Sequence, residues 1–173
     1  MNDMNTATRL PATAGALVLA AAGLLGPAPV AAATTPACTN VDLTASYHHS
    51  DAGAGHSYGW IVLRNTSGHA CHTGGYGGVS YVGDGNGTQI GAPAVRLPGK
   101  VATYVLEPGQ RLRSSLDEVT ALNFPRKVCH RHHVDGFRVY VPNATASQYV
   151  VHPTTGCRNH HVKLIHQKPY RRP

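Results

Sequence analysis

Apolar and polar positions alternate along most of the chain beyond residue 41. Residues 58–64 place Gly59, Ile61 and Leu63 on one side and Trp60 and Val62 on the other, a period of two that predicts a strand. Residues 41–47 repeat the pattern, with Val41, Leu43, Ala45 and Tyr47 on one face. Residues 79–82, 88–91, 101–106, 111–116, 134–141, 147–152 and 161–166 read as further short strands. Turn signals separate them. Asn65-Thr66-Ser67-Gly68 ends the strand at 58–64, Asp84-Gly85-Asn86-Gly87 reads as a hairpin, and Glu107-Pro108-Gly109-Gln110 and Pro142-Asn143-Ala144-Thr145 are turns. Gly74, Gly75, Gly77 and Gly78 allow a close bend after Cys71. Residues 48–56 read as a flexible loop and 153–156 as a loop before Cys157. The one helical expectation covers 116–122, with Asp117 and Glu118 near the positive end of a single turn. About eight short strands with frequent turn signals predict an all-β fold, a single antiparallel β-sandwich of immunoglobulin-like or Greek-key type. A closed barrel is the alternative.

The beginning of the chain has a different pattern. Residues 14–25 are apolar throughout, follow Arg9, and are too short to span a bilayer comfortably. Pro27 and Pro29 break the run, and Ala31-Ala32-Ala33 is a small-residue cleavage pattern. Residues 1–33 are therefore expected to be a cleavable signal peptide. Residues 34–173 would form one domain with a short basic C-terminal tail and no transmembrane segment after cleavage. Export makes the cysteine count informative. Cys38, Cys71, Cys129 and Cys157 all lie in the expected mature domain, and an even number implies two disulfides. Three pairings are available. Cys129 and Cys157 are nearly symmetric about the turn at Asn143-Ala144, and Cys38 and Cys71 about the segment 51–55. That symmetry favours Cys38–Cys71 and Cys129–Cys157.

The blocks W-I-V-L-R-N-T-S-G-H-A-C-H-T-G-G-Y-G-G-V (60–79), I-G-A-P-A-V-R (90–96), L-E-P-G-Q (106–110), Cys129 with G-F-R-V-Y-V-P (136–142), and Cys157 before a terminal strand form an ordered set. Together they resemble the exported actinobacterial family catalogued as domain of unknown function 4232. The resemblance runs from Cys38 to about His166 and rests on Trp60, Asn65, Ser67, Gly75, Tyr76, Gly78, Pro108, Gly109 and Pro142. It implies an envelope or secreted β-sandwich and brings no catalytic residues with it. This chain departs from the family pattern in its abundance of histidine.

The formal net charge is +7, which would draw the domain to anionic partners such as envelope polymers. No nucleic-acid-binding motif accompanies the basic residues. Catalytic patterns are missing as well. There is no G-x-S-x-G elbow, no H-E-x-x-H pair and no phosphate-binding loop, so no enzyme activity is expected. The twelve histidines are the remaining chemistry. Many neighbour a cysteine in sequence. If the disulfides gathered strand ends at one pole, His69, His72, His130, His132, His160 and His161 would converge as donors for Zn²⁺ or Cu²⁺. Solvated surface histidines are the competing reading, and a charge that rises between pH 7 and 5 follows from either. The sequence thus points to a monomeric, non-catalytic binding or structural module, secreted or at the cell envelope, with an anionic polymer or a protein as partner and no cofactor. A histidine-based transition-metal binder is the alternative.

Overall fold

The first hairpin shows how alternation becomes architecture. Strand β1 (Leu43–Gly53) pairs antiparallel with β2 (His56–Asn65), from Leu43 opposite Asn65 to Gly53 opposite His56. The tip is Ala54-Gly55, both with positive φ. The computed structural model describes residues 34–173, so the expected signal peptide lies outside the described residues. After β2 come β3 (Cys71–Gly74), β4 (Gly78–Gly83), β5 (Thr88–Ile90), β6 (Val95–Arg96), β7 (Thr103–Leu106) and β8 (Arg111–Val119). A 3₁₀ turn at Ala121–Asn123 and a short helix α1 (Arg126–Cys129) lead to β9 (Arg131–Tyr140), β10 (Ser147–Cys157) and β11 (Ile165–Gln167).

The strands form a five-stranded sheet in the order β1-β2-β8-β11-β6, a four-stranded sheet in the order β10-β9-β4-β5, and a β3-β7 pair. All pairings are antiparallel except β11 with β6. The expected all-β architecture with two disulfides is present, with eleven strands among the described residues. Both disulfides have the pairing favoured by symmetry: Cys38–Cys71 and Cys129–Cys157.

The core lies between the inner faces. Leu43, Ile61, Leu63, Leu112 and Leu116 from the first sheet meet Val79, Tyr81, Phe137, Val139 and Val150 from the second in one buried cluster. Each large side chain fully withdrawn from water is worth about 1.5–3 kcal/mol, so the two inner faces supply the main cohesive term. Gln148 closes one edge of the assembly. Its side chain accepts from Ala45 N at 2.8 Å and donates to Leu43 O at 2.6 Å, linking β10 to β1.

Four local expectations are corrected. Residues 48–53 are strand, because the β1–β2 ladder continues past a bulge between His49 and Asp51 to the tip. Residues 153–156 belong to β10, whose register slips between Val151 and Thr154. That bulge holds Pro153, which has no N–H to contribute to a ladder. The final strand is only Ile165–Gln167. Most importantly, Asp117 and Glu118 do not start a helix. β8 runs through Val119, because β2 on one side and β11 on the other pair with it as far as Val119 and Glu118.

The C-terminal segment packs onto the domain. Tyr170 is fully buried, its N–H donates to Gly75 O at 2.7 Å, and Arg171 exchanges backbone hydrogen bonds with Arg113. No described helix is long and apolar enough to cross a membrane.

Candidate functional site

On β8, Leu112, Ser114, Leu116 and Glu118 are buried while Arg111, Arg113, Ser115 and Asp117 face outward. The inward alternation therefore ends on a carboxylate. Glu118 is only 4% exposed, and burial of a charged group is tolerated when donors surround it. Tyr47 donates its hydroxyl to Glu118 Oε1 at 2.9 Å and Tyr81 donates to Oε2 at 2.5 Å. His152 Nε2 lies 2.9 Å from Oε2.

Each donor is placed by a separate element. Tyr47 continues the inward face of β1, and its ring lies against Gly59, where a Cβ would come within 2.5 Å of it. Tyr81 comes from β4. His152 sits in the β10 bulge, stacked on Phe137 with ring centroids 4.5 Å apart and planes 7° from parallel. Burial, and secondarily the negative charge of Glu118, pushes the Tyr47 and Tyr81 hydroxyls well above the usual phenol range. Both remain neutral donors at physiological pH. Beside them opens a cavity of about 200 Å³ lined by Ser57, Glu118, Thr120, Leu122, His152 and Thr154 among others.

The outer face of the same sheet has the opposite character. Trp60 on β2 is half-buried beneath two guanidinium groups, Arg113 at 4.2 Å and Arg171 at 5.4 Å from its ring centroid. Cross-strand pairing sets Val62 beside Arg113 and Arg64 beside Arg111. At the far end of this face Asp117 meets His56 Nδ1 at 2.6 Å. Arg113 Nε is buried without a hydrogen-bond partner, which is consistent with a guanidinium held by the indole rather than by a carboxylate.

The six histidines expected as metal ligands do not assemble. His69 faces Asp42 at 3.5 Å, and His72 Nδ1 is 2.8 Å from Thr35 O. His130 takes a left-handed conformation at the end of α1. His160 and His161 are exposed. His132 Nε2 lies 2.6 Å from Asp84 Oδ1, beside Arg158, whose Nη2 is 3.1 Å from both oxygens of that carboxylate. The His132 hydrogen bond, with the Arg158 charge behind it, holds Asp84 below the usual carboxylate range. Among the described residues no group of three or more His, Cys, Asp or Glu side chains could hold a metal ion.

The residues that carried the family resemblance have structural duties. Buried Asn65 donates through Nδ2 to Leu106 O and His69 O, while Ser67 donates to its Oδ1. Gly75 and Gly109 hold φ near +77° and +84°, values that favour glycine. Tyr76 donates to Leu97 O, a Cβ on Gly78 would press on the Tyr140 ring, Pro108 is exposed in its turn, and Pro142 is buried just after β9. Trp60 and Tyr76 are half-buried with guanidinium groups over their rings, Arg113 and Arg171 at Trp60 and Arg96 at Tyr76. Glu118, Tyr47, Tyr81 and His152 went unrecognised as a group. The available signal was the unbroken alternation from Leu112 to Glu118, which puts a carboxylate on the apolar side of a strand.

No curated protein and no solved structure matches this chain. The family model described as Domain of unknown function (DUF4232) matches residues 38–166, from the first cysteine into β11, and the chain belongs to that family.

Proposed function

We propose that this protein is an exported, non-catalytic binding module that recognises an anionic polymer of the cell envelope through the outer face of its five-stranded sheet. The observation that carries this reading is the stack of Arg113 and Arg171 on Trp60, flanked by Arg64 and Arg111. Guanidinium groups held over an indole keep planar donor edges for oxyanions while losing little side-chain freedom on binding. The formal charge of +7 adds long-range attraction to a repeating polyanion. Two disulfides suit an oxidising location outside the cytoplasm.

The test is titration of the disulfide-intact protein with polyphosphate and with polyglutamate. Affinity for at least one should fall tenfold or more between about 50 and about 500 mM NaCl as surface charges are screened. Replacing both Arg113 and Arg171 with Gln should weaken it by a further factor of about ten or more, since each charge-assisted contact is worth about 1 kcal/mol. Binding to neither polymer, or affinity indifferent to both substitutions, would overturn the proposal. A submicromolar Zn²⁺ or Cu²⁺ site lost on replacing His69, His72, His130 and His132 with Gln would move metal handling into its place.

A further inference from the structure

We propose that the cavity beside Glu118 binds a small organic cation carrying a primary ammonium group, at a site separate from the basic outer face. Glu118 is buried, yet two of its three partners are neutral phenols. Among the described residues His152 is the one basic side chain within ion-pairing distance. A buried carboxylate with so little countercharge is costly unless something completes its environment.

A carboxylate offers about four lone-pair directions, and Tyr47, Tyr81 and His152 occupy three. Oε2 takes two partners and Oε1 only Tyr47, so an acceptor position on Oε1 is left for a ligand N–H.

The cavity is of matching size and lining. Glu118 is part of its wall. Its volume of about 200 Å³ falls below the roughly 300–1,000 Å³ typical of sites for drug-sized ligands, so the occupant is small. Ser57, Thr120, Thr154 and Thr155 contribute hydroxyl-bearing residues, and Val119, Ala121 and Leu122 contribute apolar surface. A short methylene chain with an ammonium at one end matches that division. Leu122 is 63% exposed, which leaves a route in from solvent. The larger groove over the outer face of the four-stranded sheet, lined by Val82, Tyr149 and Val151 among others, has no buried charge and supports no comparable argument.

Ethanolamine and propylamine, titrated into the full-chain protein and followed by the His152 ring resonances, test the proposal against their neutral isosteres ethylene glycol and propanol. Potassium chloride at matched ionic strength controls for a bare cation. At least one amine should give saturable shifts and bind about tenfold or more tightly than its isostere. Glu118→Gln, whose single amide oxygen can accept from one phenol while its NH2 donates to the other hydroxyl oxygen, should lose about tenfold or more of that affinity. Thr154→Leu, which fills the cavity and leaves the carboxylate intact, should lose it too, and serves as the deciding variant if Glu118→Gln does not fold. Equal shifts with potassium or with the neutral isosteres would overturn the proposal. So would absence of saturation, or amine affinity unchanged in the deciding variant.

Discussion

Tyr170 illustrates how a residue with an unremarkable sequence context becomes structural. It lies between Pro169 and Arg171 in a basic, polar segment, which reads as a tail. In the fold its ring is fully buried and its hydroxyl has no hydrogen-bond partner. The two halves of the side chain therefore work against each other. Tyr170→Phe keeps the ring and removes the unsatisfied hydroxyl, and should raise stability by about 1 kcal/mol. Tyr170→Ala should cost about 3–5 kcal/mol through lost contacts and a cavity. Urea midpoints of the two variants, with unchanged slopes, would check both signs. Glu118 teaches a similar lesson. Asp117 and Glu118 together suited the start of a helical turn, and only the continued Leu112-to-Glu118 alternation argued otherwise.

At the scale of elements, hairpins were the most legible features. Asp84-Gly85-Asn86-Gly87 forms the turn expected of it, with Asp84, Gly85 and Gly87 at positive φ, because turn chemistry is local. Strand ends were less legible. β1, β8 and β10 outrun their apolar alternation because neighbouring strands keep supplying backbone partners, and sequence pattern does not record a partner's length. The β9–β10 hairpin is also tied at its base by Cys129–Cys157, 28 residues apart. Replacing both cysteines with Ala should lower unfolding free energy by about 2–4 kcal/mol, chiefly by releasing the unfolded chain. Denaturant titration of the double variant, with the Cys38–Cys71 bond retained, measures this directly.

For the whole molecule, three shielded phenols, Tyr81 and Tyr170 buried and Tyr47 half-buried, make alkaline pH the informative stress. Tyr47, Tyr81 and Tyr170 all have hydroxyls raised above their ordinary value, with burial the first cause in each. An unfolded tyrosine releases its proton near pH 10, so above about that pH the unfolded chain binds fewer protons than the folded one. The stability these groups contribute is fully present below about pH 10 and is lost as pH rises towards their folded values. Urea midpoints should therefore fall steeply from about pH 10 upward, and Tyr170→Phe should flatten the slope. A midpoint indifferent to pH across that range would contradict the shielding of these hydroxyls.

Legible in the chain alone were the all-β class, the main turn sites, the alternation of β2, a favoured pairing of the four cysteines and the family. These follow from local rules: alternation at a period of two, residues that tolerate positive φ, and symmetric spacing about turns. Which side chains meet is a matter of the fold. Among the described residues it brings no three histidines, cysteines or carboxylates together as a metal site. It also gathered Tyr47, Tyr81, Glu118 and His152 from four strands around one carboxylate, and laid Arg171 beside Arg113 over Trp60. The reason is physical. Such contacts join residues far apart in the chain, and they are set by sheet order, register and one bulge, none of which a local pattern encodes.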